Sequence, residues 1–366
     1  MGLEFLALAI LVAFEVVLLI GVPVAYAAAV TGIAWGPPPA SSAPSSAGRH
    51  RTAQLLKYNY DCALAAGTIC ASGTLGQIIP PSLVLLLAEI MNESVDSLFA
   101  AALISELMLA GLYMLYILVY AWRNSDKAPP ITFEERNALS RRDLWVRLFK
   151  GVMPALLLVF AVLGFSMAGI AAPREAAAIG ALCGLRFVGL SGKLSMKVLR
   201  DTCQDTLTTS VMIFFVVMTA QAFKMTFCGL DGERLIQDLF ALIPGGTTTD
   251  ILFFIGVIFL AGVLLDCAKT ICIASLLFLP YLAAQGVDMV WLAALICINM
   301  QAGFLTLSVG WSLFFFRGVA PPEVKTGTTY RGVWPFIYIQ LASAVIVLLF
   351  PAIATWLPTS MGWMNR

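Results

Sequence analysis

Charged side chains are scarce in this sequence. Only 12% of its 366 residues are Asp, Glu, Lys or Arg, whereas 60% are hydrophobic. A water-soluble fold of this length needs far more polar surface, so the composition leaves a polytopic membrane protein. Histidine is reduced to one residue, His50, which sits in a Pro/Ser-rich stretch. An intramembrane serine or zinc hydrolase needs a histidine near its chemistry, and neither HExxH nor Gly-x-Gly-Asp occurs. The P-loop is missing too, so energy must come from an ion gradient or a partner. No basic run is long enough to suggest nucleic acid, on which the net charge of +1 is silent. The eight cysteines include no CxxC pair and read as buried, inert thiols. Without a basic leader or a cleavage site, residues 3–20 are expected to be a retained span.

What is present is a succession of apolar stretches, each about 17–25 residues long and able to cross a bilayer. The first, Leu3 to Ile20, is broken by Gly21-Val22-Pro23 and continues from Val24 to Trp35. Residues 36–51 are rich in Pro, Ser, Ala and Gly, cannot bury a core, and read as an aqueous linker. Residues 52–71 are expected to turn at the interface and enter a short helix, and residues 97–122 form a clear span. Arg123, Lys127, Arg136, Arg141, Arg142, Arg147 and Lys150 make residues 123–150 the most basic loop, which places it in the cytoplasm. Further apolar runs lie near 151–170, 174–190, 207–227, 248–265, 271–284, 288–303 and 333–357.

Two patches interrupt this pattern. The first is Ser72-Gly73-Thr74-Leu75-Gly76-Gln77-Ile78-Ile79-Pro80-Pro81-Ser82. Pro80 and Pro81 cannot donate backbone hydrogen bonds, and Gly73 and Gly76 weaken a helix. Broken backbone at membrane depth is tolerated only where it is buried in protein or lines a wet cavity, so this patch predicts a binding site. A second short helix should follow from Leu83 to Ile90, making residues 52–90 a re-entrant hairpin. The second patch runs from Gly303 to Ser312, with Thr306, Ser308 and Gly310 inside it. One broken segment in each half is the sequence sign of an inverted-repeat secondary transporter.

These residues resemble a known family. Gly73-Thr74-Leu75-Gly76 with Ile79-Pro80-Pro81-Ser82 is similar to the first hairpin tip of the DctM-type large membrane subunit of tripartite ATP-independent periplasmic (TRAP) transporters. Pro173-Arg174-Glu175-Ala176-Ala177-Ala178, Gly21-Val22-Pro23-Val24-Ala25, Gly318-Val319-Ala320-Pro321-Pro322-Glu323-Val324 and Trp356-Leu357-Pro358 add weaker similarities. The resemblance covers residues 1–35 and about 55–360. It implies an all-α, elevator-type carrier in the bacterial inner membrane with two re-entrant hairpins and about nine or ten membrane segments in this chain. It also implies sodium-driven uptake of a small organic acid, a small membrane subunit and a periplasmic substrate-binding protein as partners, and no cofactor beyond the coupling ion. Three departures stand out. Residues 36–51 replace several helices of the family, so the chain reads as internally truncated, with an incomplete first half. Thr306 is followed by Leu307-Ser308 where the family carries Thr-Pro-Pro. Lys269 stands near the place of a family acidic residue. The alternative to a working carrier is a non-transporting remnant or membrane scaffold of the same family.

The resulting organisation is 1–35 as N-terminal membrane segments, 36–51 as linker, and 52–122 as first hairpin and following span. Residues 123–150 form the basic loop and 151–366 the second membrane half. Ser72, Gly73, Thr74, Gly76, Pro80 and Pro81 are candidate ion or substrate contacts, with Gly303, Thr306, Ser308 and Gly310 as their counterparts. Ser72, Thr74 and Thr306 are the candidate sodium ligands. The competing reading for both patches is that small residues simply allow close helix packing. Asp266 either faces a functional site or pairs with Lys269 on a helix face. Glu175 reads as a helix cap and Lys224 as a snorkelling side chain. Glu15 is open between a contact to the small subunit and a scaffold role. Gln221 and Thr208-Thr209-Ser210 read as interhelical hydrogen bonders or as lining a substrate path. Tyr120, Trp122 and Trp356 fit an interfacial belt.

Overall fold

The computed structural model describes residues 61–78, 83–124, 127, 164–165, 171–190, 192, 194–265, 267–306, 312–313, 316–317, 320 and 324–363. All regular structure among them is helical: α1 Cys62–Ile78, α2 Leu83–Met91, α3 Val95–Arg123, α4 Pro173–Leu190, α5 Met196–Gly229, α6 Gly232–Ala241 and α7 Thr247–Leu264. Then come α8 Cys267–Thr270, a π-helical turn Ile271–Ser275, α9 Leu276–Ala284, α10 Met289–Leu305, α11 Thr326–Leu349 and α12 Ala352–Ser360. By length and composition α3, α5, α7 and α11 can each cross a membrane.

The ends of these helices follow from local chemistry. Asp288 caps α10, its Oδ1 accepting from Val290 N at 2.9 Å and Trp291 N at 3.1 Å. Ser195 caps α5 through Val198 N. Glu175, in the first turn of α4, accepts from Ala172 N at 3.0 Å, half of a capping box. Asp61 starts α1, its Oδ1 accepting from Ala63 N. Tyr120 on α3 donates to Asp61 Oδ2 at 3.2 Å, and Asp61 N donates to the Lys127 carbonyl. The start of α1 is therefore fastened to the end of α3.

α10 is the centre of the bundle. Every residue from Val290 to Leu305 is buried, and the helix is apolar nearly all round, as a helix enclosed by others must be. It packs on α1, α3, α7 and α11. Trp291 Nε1 donates to the Val347 carbonyl of α11 at 2.8 Å, and Asn299 Nδ2 donates to the Ile255 carbonyl of α7 at 2.9 Å. Within lipid, where water exclusion between helices is weak, such bonds and close packing hold the bundle. Two glycine crossings supply the closest approaches. A Cβ on Gly67 of α1 would overlap the Gly332 carbonyl of α11, and one on Gly332 would overlap the Ala63 carbonyl. A Cβ on Gly303 of α10 would lie 3.1 Å from the Gly262 carbonyl carbon of α7.

Chain direction corrects the expected hairpins. α1 begins beside the end of α3, and α2 ends at the short turn that leads into the start of α3. α1 and α2, 17 and 9 residues long, thus run antiparallel to the 29-residue α3, end to end. Together they cross the layer once as a broken span instead of returning to the side they left. The second interruption is also a broken span. α10 ends in the interior at Leu305, and the next long helix, α11, starts at the opposite end, where Gly332 meets α1. The interruptions are also shorter than expected. Ser72–Ile78 continue α1, and Gly303–Leu305 continue α10. Leu75 and its neighbours satisfy their backbone within the helix, so the two glycines of the first patch do not end it.

Candidate functional site

Four helices bring polar side chains to one depth. Glu106 is the twelfth residue of α3, so its Cα lies about 16 Å along the axis from Val95. Thr74 holds the same relative place in α1 and Gln301 in α10, and Gln340 is midway along α11. All are buried. Gln301 Nε2 donates to Glu106 Oε1 at 2.6 Å. Gln340 Nε2 donates to Gln301 Oε1 at 3.5 Å and to Thr74 Oγ1 at 3.4 Å. Thr74 Oγ1 in turn donates to the Ala71 carbonyl of its own helix at 2.9 Å. The Tyr113 hydroxyl stands beside Thr74 and Gln340, its ring edge-on to Phe336 at 5.1 Å. A continuous polar chain, Glu106–Gln301–Gln340–Thr74, therefore joins α3, α10, α11 and α1 inside an apolar bundle.

Thr74 alone among the sequence-predicted ligands belongs to this chain. Ser72 is exposed and donates to the Ile69 carbonyl at 3.1 Å. Gly73 is half-buried, and its missing side chain would point toward Ser312 Oγ, at 3.9 Å. Ser312 belongs to the second patch and donates to the Cys70 carbonyl at 3.0 Å, so that patch rests against the first. Gly76 lies in the last turns of α1. Thr306 caps α10 and donates to the Ala302 carbonyl at 2.5 Å. Gly303 is accounted for by the close crossing of α10 over α7, the packing role anticipated for small residues. Pro80, Pro81, Ser308, Gly310 and Asp266 lie outside the described residues, as do Glu15, the linker 36–51 and most of the basic loop. Lys269 is buried in α8, next to the π-helical turn.

The polar residues of α5 play a smaller part than expected. Thr208 is exposed and donates to the Gln204 carbonyl of its own helix at 2.9 Å, and Gln221 is exposed. Glu106, Gln301, Gln340 and Tyr113 escaped the sequence reading. The signal for Glu106 was there: an acid well inside a clear span, the criterion applied to Asp266.

The interruption between α1 and α2 has a definite electrostatic sense. α1 ends there with unpaired carbonyls and partial negative charge, and α2 begins there with free amides and partial positive charge. One side of the gap suits a cation, the other an anion. α10 likewise directs its carbonyl end into the interior from the opposite face.

Comparison with known proteins bears on this geometry. The family described as tripartite ATP-independent periplasmic transporter, DctM component, matches residues 39–353. The C4-dicarboxylate TRAP transporter large permease protein DctM of Pseudomonas aeruginosa is 29% identical over 319 residues, covering 85% of this chain and 71% of that protein. The protein of the same name from Vibrio cholerae is 28% identical over 335 residues, covering 84% of this chain and 70% of its own length. The 2,3-diketo-L-gulonate TRAP transporter large permease protein YiaN of Escherichia coli is 24% identical over 310 residues, with 84% and 70% covered. With most of its length matched and its bundle built of membrane-length helices, the chain belongs to the DctM family of TRAP transporter large permease subunits.

Proposed function

We propose that this chain is the membrane carrier of a secondary transport system in which a sodium gradient drives uptake of a small organic acid. A periplasmic binding protein delivers the substrate, and a small membrane subunit braces the carrier in the bacterial inner membrane. The observation that carries this reading is the pair of interrupted spans entering the layer from opposite faces, with Thr74 and Ser312 drawing their ends together. Carbonyl ends and hydroxyls at Ser72, Thr74 and Thr306 supply hard oxygen ligands for sodium, and the amide end of α2 suits a carboxylate. Relatives named for C4-dicarboxylate and diketogulonate transport support an organic acid as cargo. Specificity rests largely with the binding protein.

The test is uptake into membrane vesicles or proteoliposomes holding this chain, its small subunit and its binding protein, with and without an inward sodium gradient. Sodium-dependent uptake that falls in S72A and T74V supports the reading. Uptake that ignores sodium removes the coupling, and absence of uptake in a folded, assembled complex leaves the chain as a scaffold.

A further inference from the structure

The mid-depth polar chain carries more acceptors than donors. Both amide nitrogens are committed, Gln301 Nε2 to Glu106 Oε1 and Gln340 Nε2 to Thr74 and Gln301. Three buried oxygens are left without a hydrogen-bond partner: Glu106 Oε2, Gln340 Oε1 and Tyr113 OH. Their side chains are 2%, 0% and 4% exposed, so bulk water does not serve them. A lone carboxylate at this depth is costly unless a positive charge meets it.

We propose that Glu106, Gln340 and Tyr113 form a binding site for one monovalent metal cation, sodium, separate from the interrupted ends. The donor set selects the ion. Carboxylate, amide and phenol oxygens are hard ligands, suited to sodium, magnesium or calcium rather than to a thiolate- or imidazole-seeking metal. Among the described residues no group of three His, Cys, Asp or Glu could hold such a metal. A single carboxylate balances a single positive charge. A divalent ion would keep an uncompensated charge in a low-dielectric interior, and magnesium resists the dehydration this burial demands. The bound ion would join α3 to α11 and, through the Gln340–Thr74 bond, report to the helix that leads into the first interruption. Binding here is independent of whether the chain moves a substrate, so it is read without transport.

The experiment is equilibrium binding of radioactive sodium to the purified full chain, paired with thermal unfolding in sodium, potassium or choline chloride at constant ionic strength. Wild-type protein is expected to bind sodium saturably and to melt higher as sodium rises, as any ligand of the folded state requires. E106Q keeps the acceptor for Gln301 but not the charge, and should bind one sodium ion fewer or weaken that site by about 100-fold. E106D, with the carboxylate drawn back by one methylene, should keep the site at reduced affinity, and it replaces E106Q if the latter does not fold. T74V should leave this site in place, which separates it from sodium held at the first interruption. Equal sodium binding by wild type, E106Q and E106D would overturn the proposal. So would a potassium or choline effect equal to that of sodium, or a response to proton concentration with none to sodium.

Discussion

At the scale of single residues, the chain concentrates its polar risk in a few places. Asp288 accepts two amide bonds at the start of α10, and Asp288→Ala should cost about 1 kcal/mol in thermal or chemical unfolding. Close by, Glu93 lies in the short connection between α2 and α3, outside the spans. Burial, and after it the neighbouring negative charge of Asp288, hold its carboxyl above the usual range. A carboxyl raised in the folded state favours folding when protonated, and that contribution is lost as pH rises from the ordinary carboxyl value through the raised one. Glu93→Gln should therefore flatten the acid-side fall in melting temperature with rising pH, and Asp288→Asn should flatten part of it. An unchanged pH profile in Glu93→Gln would contradict this account. The residue scale is also where the sequence was least legible. Gln301 and Gln340 are single amides in apolar helices, 39 positions apart, and nothing local says they meet. Thr74 was found because its neighbours are unusual, whereas Glu106 sits among ordinary apolar residues.

At the scale of helices, length and hydropathy were read well because a bilayer fixes both. The expected spans at 97–122 and 248–265 correspond to α3 and α7, and the long run 333–357 is divided by Phe350 and Pro351 into α11 and α12. What the sequence could not supply was direction. Two short helices with a break look the same whether the chain turns back or goes on, and only the Asp61–Tyr120 bond decides. Glycine was ambiguous for a related reason: a weak helix former and a packing contact are written with the same letter. The structure separates them and yields a graded test. Gly332→Val and Gly303→Val put methyl groups against backbone, and each should destabilise by about 1–3 kcal/mol or more. Gly111→Val, where a Cβ meets nothing within 4 Å, should be neutral. The readout is the melting temperature of detergent-solubilised protein, and a Gly111 variant as damaged as a Gly332 variant would refute the crossing.

At the scale of the whole molecule, the outer surface is apolar where lipid or a partner must lie. Leu107, Met114, Leu115, Leu118 and Trp122 of α3 are exposed, as are Phe214, Phe215, Met218 and Met225 of α5. α5 has 34 residues, about 51 Å of helix, more than a hydrocarbon layer needs. Its first residues, with Lys197, Arg200, Asp201 and Asp205, extend beyond the layer. Cys203 lies in that stretch and is exposed, whereas Cys70, Cys267, Cys272 and Cys297 are buried. A membrane-impermeant maleimide applied to the folded protein should label Cys203 first and reach the four buried thiols only after denaturation, as mass spectrometry of the peptides would show. Early labelling of Cys297 would mean that α10 is not the enclosed centre of the bundle.

The meeting of Gly67 with Gly332 has a mechanical corollary. Two backbones in van der Waals contact can pivot about their touching point, but they cannot slip past one another without a collision at the next side chain. Whatever displacement a working cycle demands, the hydroxyl of Thr74 and the amide of Gln340 must ride together, and any gate has to open along some other seam.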